Sequence, residues 1–579
     1  MKNLTTIIRQ DGEFSKYLKS FIDAYSSQEG LPIAVNGLSG GAESAFIAEA
    51  AHEAVRISGK AVLIFAESED AAQRLSARLG ASGLRAAHFK RRDLIFYNIR
   101  ASHDIDRERL SVLHDIISGE LDAVVTTPSA ALSYTIPKQR LAELSLRLSV
   151  GEDIAPSKLC ERLSALGFAS VDAVDGCGQF SHRGGIVDFW SGDTEEPTRV
   201  EFFGDEIDRI AYFDPISQRS GESVSELKLL PAVEVMLSGG ARERLSLEIE
   251  KLISGAKEET VSNRLKSELA IVSAGLTVDF RDRYLGVIYK RCETLLDYFA
   301  EGKRGAFVVG TSGCTEELRA CLDRLSEERA GLIDGGLVTP EAAKYIAEQS
   351  SFERFLSENQ TVHINTFAGG VGSMKLSGLF GFRVRRTVSY GDNAYMLSED
   401  LSSLRKGGYR ILLVCESAVG ADSLVESLRG QDIAALPVYK DDKFDISRAE
   451  GGRIFVTVGD TDGFDLISAK IAVLSMKRDS GRAIMSERRR RRIIRQAGGA
   501  GARLMSYAEL SAGDYVVHAN YGIGLFEGIE TVRVDGITRD YITIKYAGTD
   551  KLFIPVEKLD MVSKYIGAHA DDGGVKLSR

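Results

Sequence analysis

Residues 31–58, LPIAVNGLSGGAESAFIAEAAHEAVRIS, run from an apolar strand-like stretch through a glycine-rich turn into an alanine-rich helical one. A buried strand, a tight turn and a helix packed back onto the sheet are the repeating unit of an α/β layer fold. The turn also lies in the frame of a phosphate-binding loop, G-x-x-x-x-G-K-[ST]. Counted from Gly37, the chain has Ala42 at the second glycine, Glu43 at the lysine and Ser44 at the hydroxyl position. In a working loop the lysine reaches the β- and γ-phosphates and the hydroxyl holds Mg²⁺. Glu43 sets a negative charge against a polyanion, and like charges ~4 Å apart repel by about 4 kcal/mol at an effective dielectric near 20. The helix N-terminus still offers N–H groups, but the carboxylate can satisfy them itself. The frame therefore reads as structural, without ATP hydrolysis. No substitute loop exists, since Gly59-Lys60 is followed by Ala61 and Gly302-Lys303 by Arg304. No D-E-x-[DHQ] motif follows an apolar strand in residues 1–150.

The β/α alternation continues. AVLIFAE (61–67), GLRAAHF (83–89) and LDAVVTT (121–127) read as buried parallel strands, with ESAFIAEAAHEAVRIS and EDAAQRLSARLG as helices between them. Residues 150–232 change to short strands with glycine and acidic turns, an α+β insert built on hairpins. A charged helical stretch covers 238–300, and GAFVVGTS (305–312) and TVHINTF (361–367) return to β. A second α/β segment follows, with strands in 408–417, 451–460 and 469–477. Five arginines, Arg488, Arg489, Arg490, Arg491 and Arg492, precede a glycine/alanine stretch that reads as a linker. Residues 510–567 form a compact β module in which Asp535-Gly536 marks a two-residue hairpin turn. The tail beyond it is polar and reads as disordered.

Composition bounds the function classes. A length of 579 residues suggests three to five domains of roughly 100–200 residues each. The net charge of −10 argues against a surface that binds nucleic acid throughout, though not against a local basic patch. Six cysteines, none in a C-x-x-C pair, speak against a zinc ribbon or a disulfide framework and fit a reducing cytoplasm. No run approaches the ~18–20 apolar residues of a membrane span, and the N-terminus has no apolar signal region. The histidines show no metal-ligand spacing, and no Ser-His-Asp or Cys-His set can be argued. No catalytic residue and no metal site is expected.

The stretch SHRGGIVDFWSGDTEEPTRVEFFGDEIDRIAYFDPISQRS (181–220) carries R-G-G-x-[IV]-D, then R-[IVL]-x-F-F-x-D-E-I, then F-D-x-x-[ST]-Q-R. It resembles the signature shared by UvrB and the transcription-repair coupling factor (Mfd) family. Residues 513–567 decide between the two. They resemble the CarD-related, RNA-polymerase-interacting domain of the coupling factors, which UvrB lacks. Two further features agree: UvrB keeps the loop lysine, and residues 93–113 are too short for its tyrosine-rich β-hairpin.

The resemblance covers about residues 10–567. It implies an α/β multidomain protein: a UvrB-like, P-loop-derived α/β module with an inserted α+β domain, a second small α/β domain, and a C-terminal Tudor/SH3-like β-barrel. The implied division is domain 1a (1–145), domain 2 (146–232), domain 1b (233–395), domain 3 (396–486), a basic linker (487–507), the polymerase-interacting domain (508–568) and a tail (569–579). Coupling factors continue into two motor domains and a regulatory domain, so the chain is expected to correspond to their N-terminal portion. ATP and Mg²⁺ are then expected only in the motor, and no cofactor in this chain.

The implied partners are UvrA, the RNA polymerase β subunit and, weakly or through the motor, double-stranded DNA. The implied setting is a monomer in the bacterial cytoplasm, associated with the nucleoid, with no membrane contact. The family's UvrA-contact positions fall on Arg183, Arg199 and Phe203. Alternation puts Arg199, Glu201 and Phe203 on one strand face, where arginines and an aromatic suit an interface. The plainer reading has Phe203 in the core and the arginines paired with Glu201 or Asp205. The polymerase contact falls on Ile529, Glu530, Thr531, Val532 and Arg533, where a free strand edge can pair with a partner's strand; alternatively, Val532 simply packs the barrel. Arginines 488–492 either meet DNA phosphates or form a solvated linker. The rival functions are an ATP-dependent UvrB-like damage-recognition helicase and a polymerase-binding transcription regulator without a repair role.

Overall fold

The computed structural model describes residues 5–27, 31–96, 104–192, 194, 196–237, 240–276, 278–289, 291–367, 374–391, 394–439, 444, 446–477, 515–518, 522–534, 537–545, 551–555 and 562–564. At its centre is an all-parallel sheet of seven strands. Their spatial order is Gly378–Gly381, Ile33–Asn36, Gln360–Asn365, Gly305–Val309, Val62–Phe65, Ala123–Thr126, Ala86–Phe89. The four strands expected from the first alternating segment all form, and the two expected near 305 and 361 insert between the first and second of them. One sheet is thus built from both sides of the insert. A parallel sheet covered on both faces needs apolar residues at successive positions. Accordingly Val62, Ile64, Ala123, Val125 and Phe307 point into one core, and Leu63, Phe65, Val124, Ala306 and Val308 into the other. Helix Gly41–Ser58 packs closely on its face because Ala42, Ala45, Ala48, Ala50, Ala51 and Ala54 are buried there.

The insert leaves and rejoins this body through a two-stranded antiparallel ribbon, Leu146–Ser149 with Glu226–Leu229. Its own sheet has six strands in the order Ser220–Val224, Glu206–Phe213, Thr198–Phe203, Ile186–Phe189, Gln179–Arg183, Ala169–Ser170. One face packs Phe180, Val187, Val200, Ile207 and Ile210 against Leu159 and Leu163 of helix Pro156–Ala165. The opposite face carries Arg199, Glu201 and Arg209 together with Phe203, Ala211 and Phe213.

Where the ribbon returns, charged groups are buried together. Arg109, in helix Asp104–Ile117, clamps Glu234 through Nε (2.7 Å) and Nη2 (2.9 Å). Both side chains are fully buried. Arg92 reaches Asp282 (2.9 Å) and Asp106 (3.5 Å). The Ile95 N–H donates to Asp282 (2.8 Å). Burial pushes the Asp282 carboxyl up, and Arg92 opposes that shift.

The segment after the sheet builds a second layer. Ile471–Ser475, Arg410–Cys415, Ile454–Val458 and Ala435–Pro437 are parallel, and antiparallel Phe464–Leu466 and Val384–Arg386 extend one edge. The C-terminal module is a five-stranded antiparallel sheet in the order Lys551–Pro555, Ile537–Lys545, Gly522–Val534, Tyr515–His518, Val562–Lys564. Val534 faces Ile537, so the connection takes two residues, as Asp535-Gly536 leads one to expect. Thr543 and Ile544 are both buried; here the strand is covered on both faces, not on alternate residues. Among the described residues no helix is long and apolar enough to cross a membrane.

Removing one partner of a buried ion pair leaves an uncompensated charge and costs about 3–5 kcal/mol. Glu234→Ala is therefore expected to lower stability by about that amount. A paired Arg109→Met, Glu234→Leu replacement should recover most of the loss, and urea denaturation followed by circular dichroism measures both.

Candidate functional site

The glycine-rich loop is shaped by the protein backbone packed against it. Gly37 has φ 84° and Gly40 φ 60°, values that favour glycine. A Cβ at Gly37 would lie 2.1 Å from the Phe382 carbonyl oxygen. One at Gly41 would lie 2.1 Å from the Asp462 carbonyl oxygen and 2.3 Å from Thr461 Oγ1. The residues therefore admit the protein's own backbone, at the positions where a nucleotide loop would admit phosphate. The space left beside Gly41, Ser44 and Phe464 is a cavity of about 30 Å³, room for a few waters at most. Ser44 turns its hydroxyl back onto the Gly41 carbonyl (3.1 Å), and Ala42 is buried.

Glu43 is enclosed in this joint. Its pKa is pushed up to about 7, first by burial and then by Glu67 and Asp462, against the pull of Arg78. Arg78 itself binds Asp462 (2.9 Å). The Glu67 carboxylate lies over the first turn of helix Thr311–Asp334, where a Cβ on Gly313 would come within 2.5 Å of Oε2. A carboxylate is favourable at such a helix end.

In the insert, strand Thr198–Phe203 alternates as expected. Thr198 and Val200 are buried, Arg199 and Glu201 half-buried, and Phe203 is 83% exposed, so Phe203 is not a core residue. The Phe202 N–H donates to the Gly185 carbonyl (2.8 Å). This sets Phe203 beside the hairpin that follows Arg183. Arg183 is exposed and its guanidinium donates to the Asp172 carbonyl. Arg199 lies further along the same face and is only 16% exposed. Its guanidinium grips Asp188 through Nε (2.8 Å) and Nη2 (2.9 Å) and stacks over the Phe213 ring (4.6 Å). Its carboxylate partner is Asp188, neither Glu201 nor Asp205. Register sets Arg183 across from Ile186 and Glu201, between Arg199 and Phe203 along the strand, and Arg199 is fixed from within. Sequence reading missed Asp188 and Gln218 as its partners, although both lie in the quoted signature.

In the C-terminal module, Ile529, Glu530, Thr531, Val532 and Arg533 form the outer part of strand Gly522–Val534. They pair in register with Ile542, Tyr541, Asp540, Arg539 and Thr538. On the other side only residues 522–525 pair, with Tyr515–His518. Among the described residues, 529–533 therefore keep one unpaired edge. A bulge between Phe526 and Gly528, with Gly528 at φ 146°, separates the two parts and adds twist there. Arginines 488–492 lie outside the described residues. No group of three or more His, Cys, Asp or Glu among the described residues could hold a metal.

Residues 146–234 match the family model described as UvrB interaction domain, and residues 510–566 the one described as CarD-like/TRCF RID domain. The chain is 26% identical over 593 residues to the transcription-repair-coupling factor of Bacillus subtilis (strain 168), covering 99% of this chain and 48% of that protein. It is 25% identical over 489 residues to that of a Staphylococcus epidermidis strain, covering 82% and 40%. For Staphylococcus haemolyticus the figures are 24% over 482 residues, again 82% and 40%. The chain spans about half, or less, of the length of the curated relatives it matches.

The raised pKa of Glu43 has a definite sign. Between its ordinary value of 4.5 and about 7, the unfolded chain loses this proton while the folded chain keeps it. Folding is therefore disfavoured progressively across that window, and fully above it. Glu43→Gln mimics the protonated form. It should match the wild type below about pH 4.5 and exceed it by on the order of 2–3 kcal/mol above about pH 7. Urea midpoints at a series of pH values check this.

Proposed function

From a chain that aligns along 99% of its length with the Bacillus subtilis transcription-repair-coupling factor, and along 82% with staphylococcal ones, we propose an adaptor that joins a stalled RNA polymerase to nucleotide excision repair. The observation that supports it is the presence of both matched domains, at 146–234 and 510–566, in one polypeptide. The insert recruits UvrA through the sheet face that bears Arg183, Arg199 and Phe203. The C-terminal module, a small barrel of the Tudor/SH3 kind, binds the polymerase β subunit. There the unpaired edge of 529–533 accepts a strand from the partner, since backbone N–H and C=O groups on a free edge seek a ladder. Arginines 488–492 add weak, salt-dependent contact to duplex DNA. The chain acts as a monomer in the bacterial cytoplasm, at the nucleoid.

The degenerate loop binds no nucleotide in this proposal. Gly37 and Gly41 are pressed by the backbone at Phe382 and Asp462, and Glu43 stands at the position of the phosphate-binding lysine. ATP and Mg²⁺ belong to the motor of the full-length relatives. This geometry counts against a UvrB-like helicase. Titration of the chain with millimolar ATP and Mg²⁺ should give no binding heat, and Glu43→Lys should not create any, because the cleft stays filled.

Co-elution with UvrA and polymerase β subunit tests the adaptor. The chain should bridge the two, Arg183→Glu should lose only UvrA, and Val532→Arg only polymerase. Retention of polymerase without UvrA would instead favour a transcription regulator with a silent repair module.

A further inference from the structure

Ile216 is 92% exposed, more than any other large apolar side chain among the described residues. A single exposed aliphatic residue needs no explanation. This one, however, stands on a loop built to hold it out. Residues 214–219 join strand Glu206–Phe213 to Ser220–Val224. Asp214 Oδ1 accepts the N–H groups of Ile216 (3.0 Å) and Ser217 (2.6 Å). The Gln218 N–H donates to the Asp214 carbonyl (2.8 Å), and its side-chain amide donates to the Pro215 carbonyl (2.9 Å). Gln218 sits at φ 59°, a conformation non-glycine residues adopt at a cost when the surroundings enforce it.

The enforcing group is Arg199. While clamped on Asp188, it donates from Nη1 to the Gln218 carbonyl (3.2 Å) and from Nη2 to Gln218 Oε1 (3.2 Å). Arg199 lies on the open face, so these bonds draw the loop to that face. Phe203 stands at the other end of the same strand pair, at the turn into Glu206. The eight residues of Glu206–Phe213 set the two ends roughly 25 Å apart at about 3.3 Å per residue. Between them lie Glu201 and Arg209, paired at 3.5 Å.

We propose that Ile216 is a second apolar anchor of the partner-binding face, opposite Phe203, and that Arg199 serves as a positioning residue for it. The inference rests on the reading of this face as the UvrA contact. Its occupant is that repair protein, offering two apolar recesses about as far apart as a standard interface of ~800 Å² per partner is wide, with polar groups between them. A face framed by two apolar anchors fits the pattern of a few buried side chains supplying most of the binding energy.

The test measures UvrA affinity for the full chain and for Phe203→Asp, Ile216→Asp, Arg199→Ala and the Arg199→Ala, Ile216→Asp double variant, with polymerase binding as the folding control. Each apolar replacement should weaken UvrA at least tenfold and leave polymerase binding unchanged. The double variant should bind no more weakly than the weaker of its two single variants, because Arg199 acts through the loop. Amide exchange in 214–219 should quicken in Arg199→Ala and stay as in the wild type in Phe203→Asp. If Ile216→Asp binds like the wild type while Phe203→Asp does not, the second anchor is wrong and the UvrA face stands. If Arg199→Ala and Ile216→Asp losses simply add, the positioning role is wrong. If the wild-type chain binds no UvrA, the reading of the face fails, and this inference with it.

Discussion

The Arg109–Glu234 pair is the contact on which the placement of the insert depends. Both side chains are fully buried, where a lone charge costs several kcal/mol. Each charge is compensated only by the other, and a bidentate Arg–carboxylate contact permits little variation in geometry. Arg109 also stacks on Phe89, at 3.9 Å, at the end of an outer strand of the main sheet. Glu234 directly follows the returning ribbon, and Arg92 extends the network to Asp282, beyond the insert. Tyr289 closes it, donating to the Glu234 carbonyl (2.7 Å) and accepting the Met236 N–H (3.1 Å). Four stretches of chain, distant in sequence, are thereby locked together. Apolar residues could fill the same volume at least as stably, but they would tolerate sliding. Ions suit a joint whose angle must be fixed.

The glycine-rich loop holds the frame of a nucleotide site with Glu43 at the lysine position. Strand, turn and helix solve a packing problem: they return a helix to the sheet in few residues. That packing does not need a lysine. Glycine is still required at 37 and 41, since neighbouring backbone now comes within 2.1 Å of where a Cβ would be. A motif scan would read these glycines as remnants. Structurally they are constraints set by close neighbours, the Phe382 backbone at Gly37 and the Thr461–Phe464 segment at Gly41.

Much of this was legible in the sequence, for identifiable reasons. Apolar runs bounded by glycine placed the strands at 33–36, 62–65 and 123–126, and Asp535-Gly536 fixed a hairpin register. Local pattern could not reveal that Ile33 pairs with Val362, because nothing in either strand encodes a neighbour over three hundred residues away. Phe202 and Phe203 posed a similar limit. Adjacent aromatics in a strand must face opposite ways, and only the helix packed on Val200 decides which one goes inward. The partner of Arg199 was hidden for the same reason: Asp188 lies on another strand, brought opposite by register. In the candidate polymerase contact, the residues were named from resemblance, while the unpaired edge beside them emerged only from strand pairing.

The two proposed contact regions differ in physical kind, and this bears on how each could change without losing a partner. A free strand edge recognises through backbone N–H and C=O groups, which almost any residue except proline supplies. The open face of the insert has no such fallback. Strands Ile186–Phe189, Thr198–Phe203 and Glu206–Phe213 are paired on both edges, so a partner on this face would meet side chains held at fixed points. That explains why so much of its structure goes into holding one arginine: Asp188 grips it, Phe213 lies beneath it, and Gln218 is bent to meet it. An interface made of side chains must fix their positions before the partner arrives, because disorder left in them is an entropy cost subtracted from affinity.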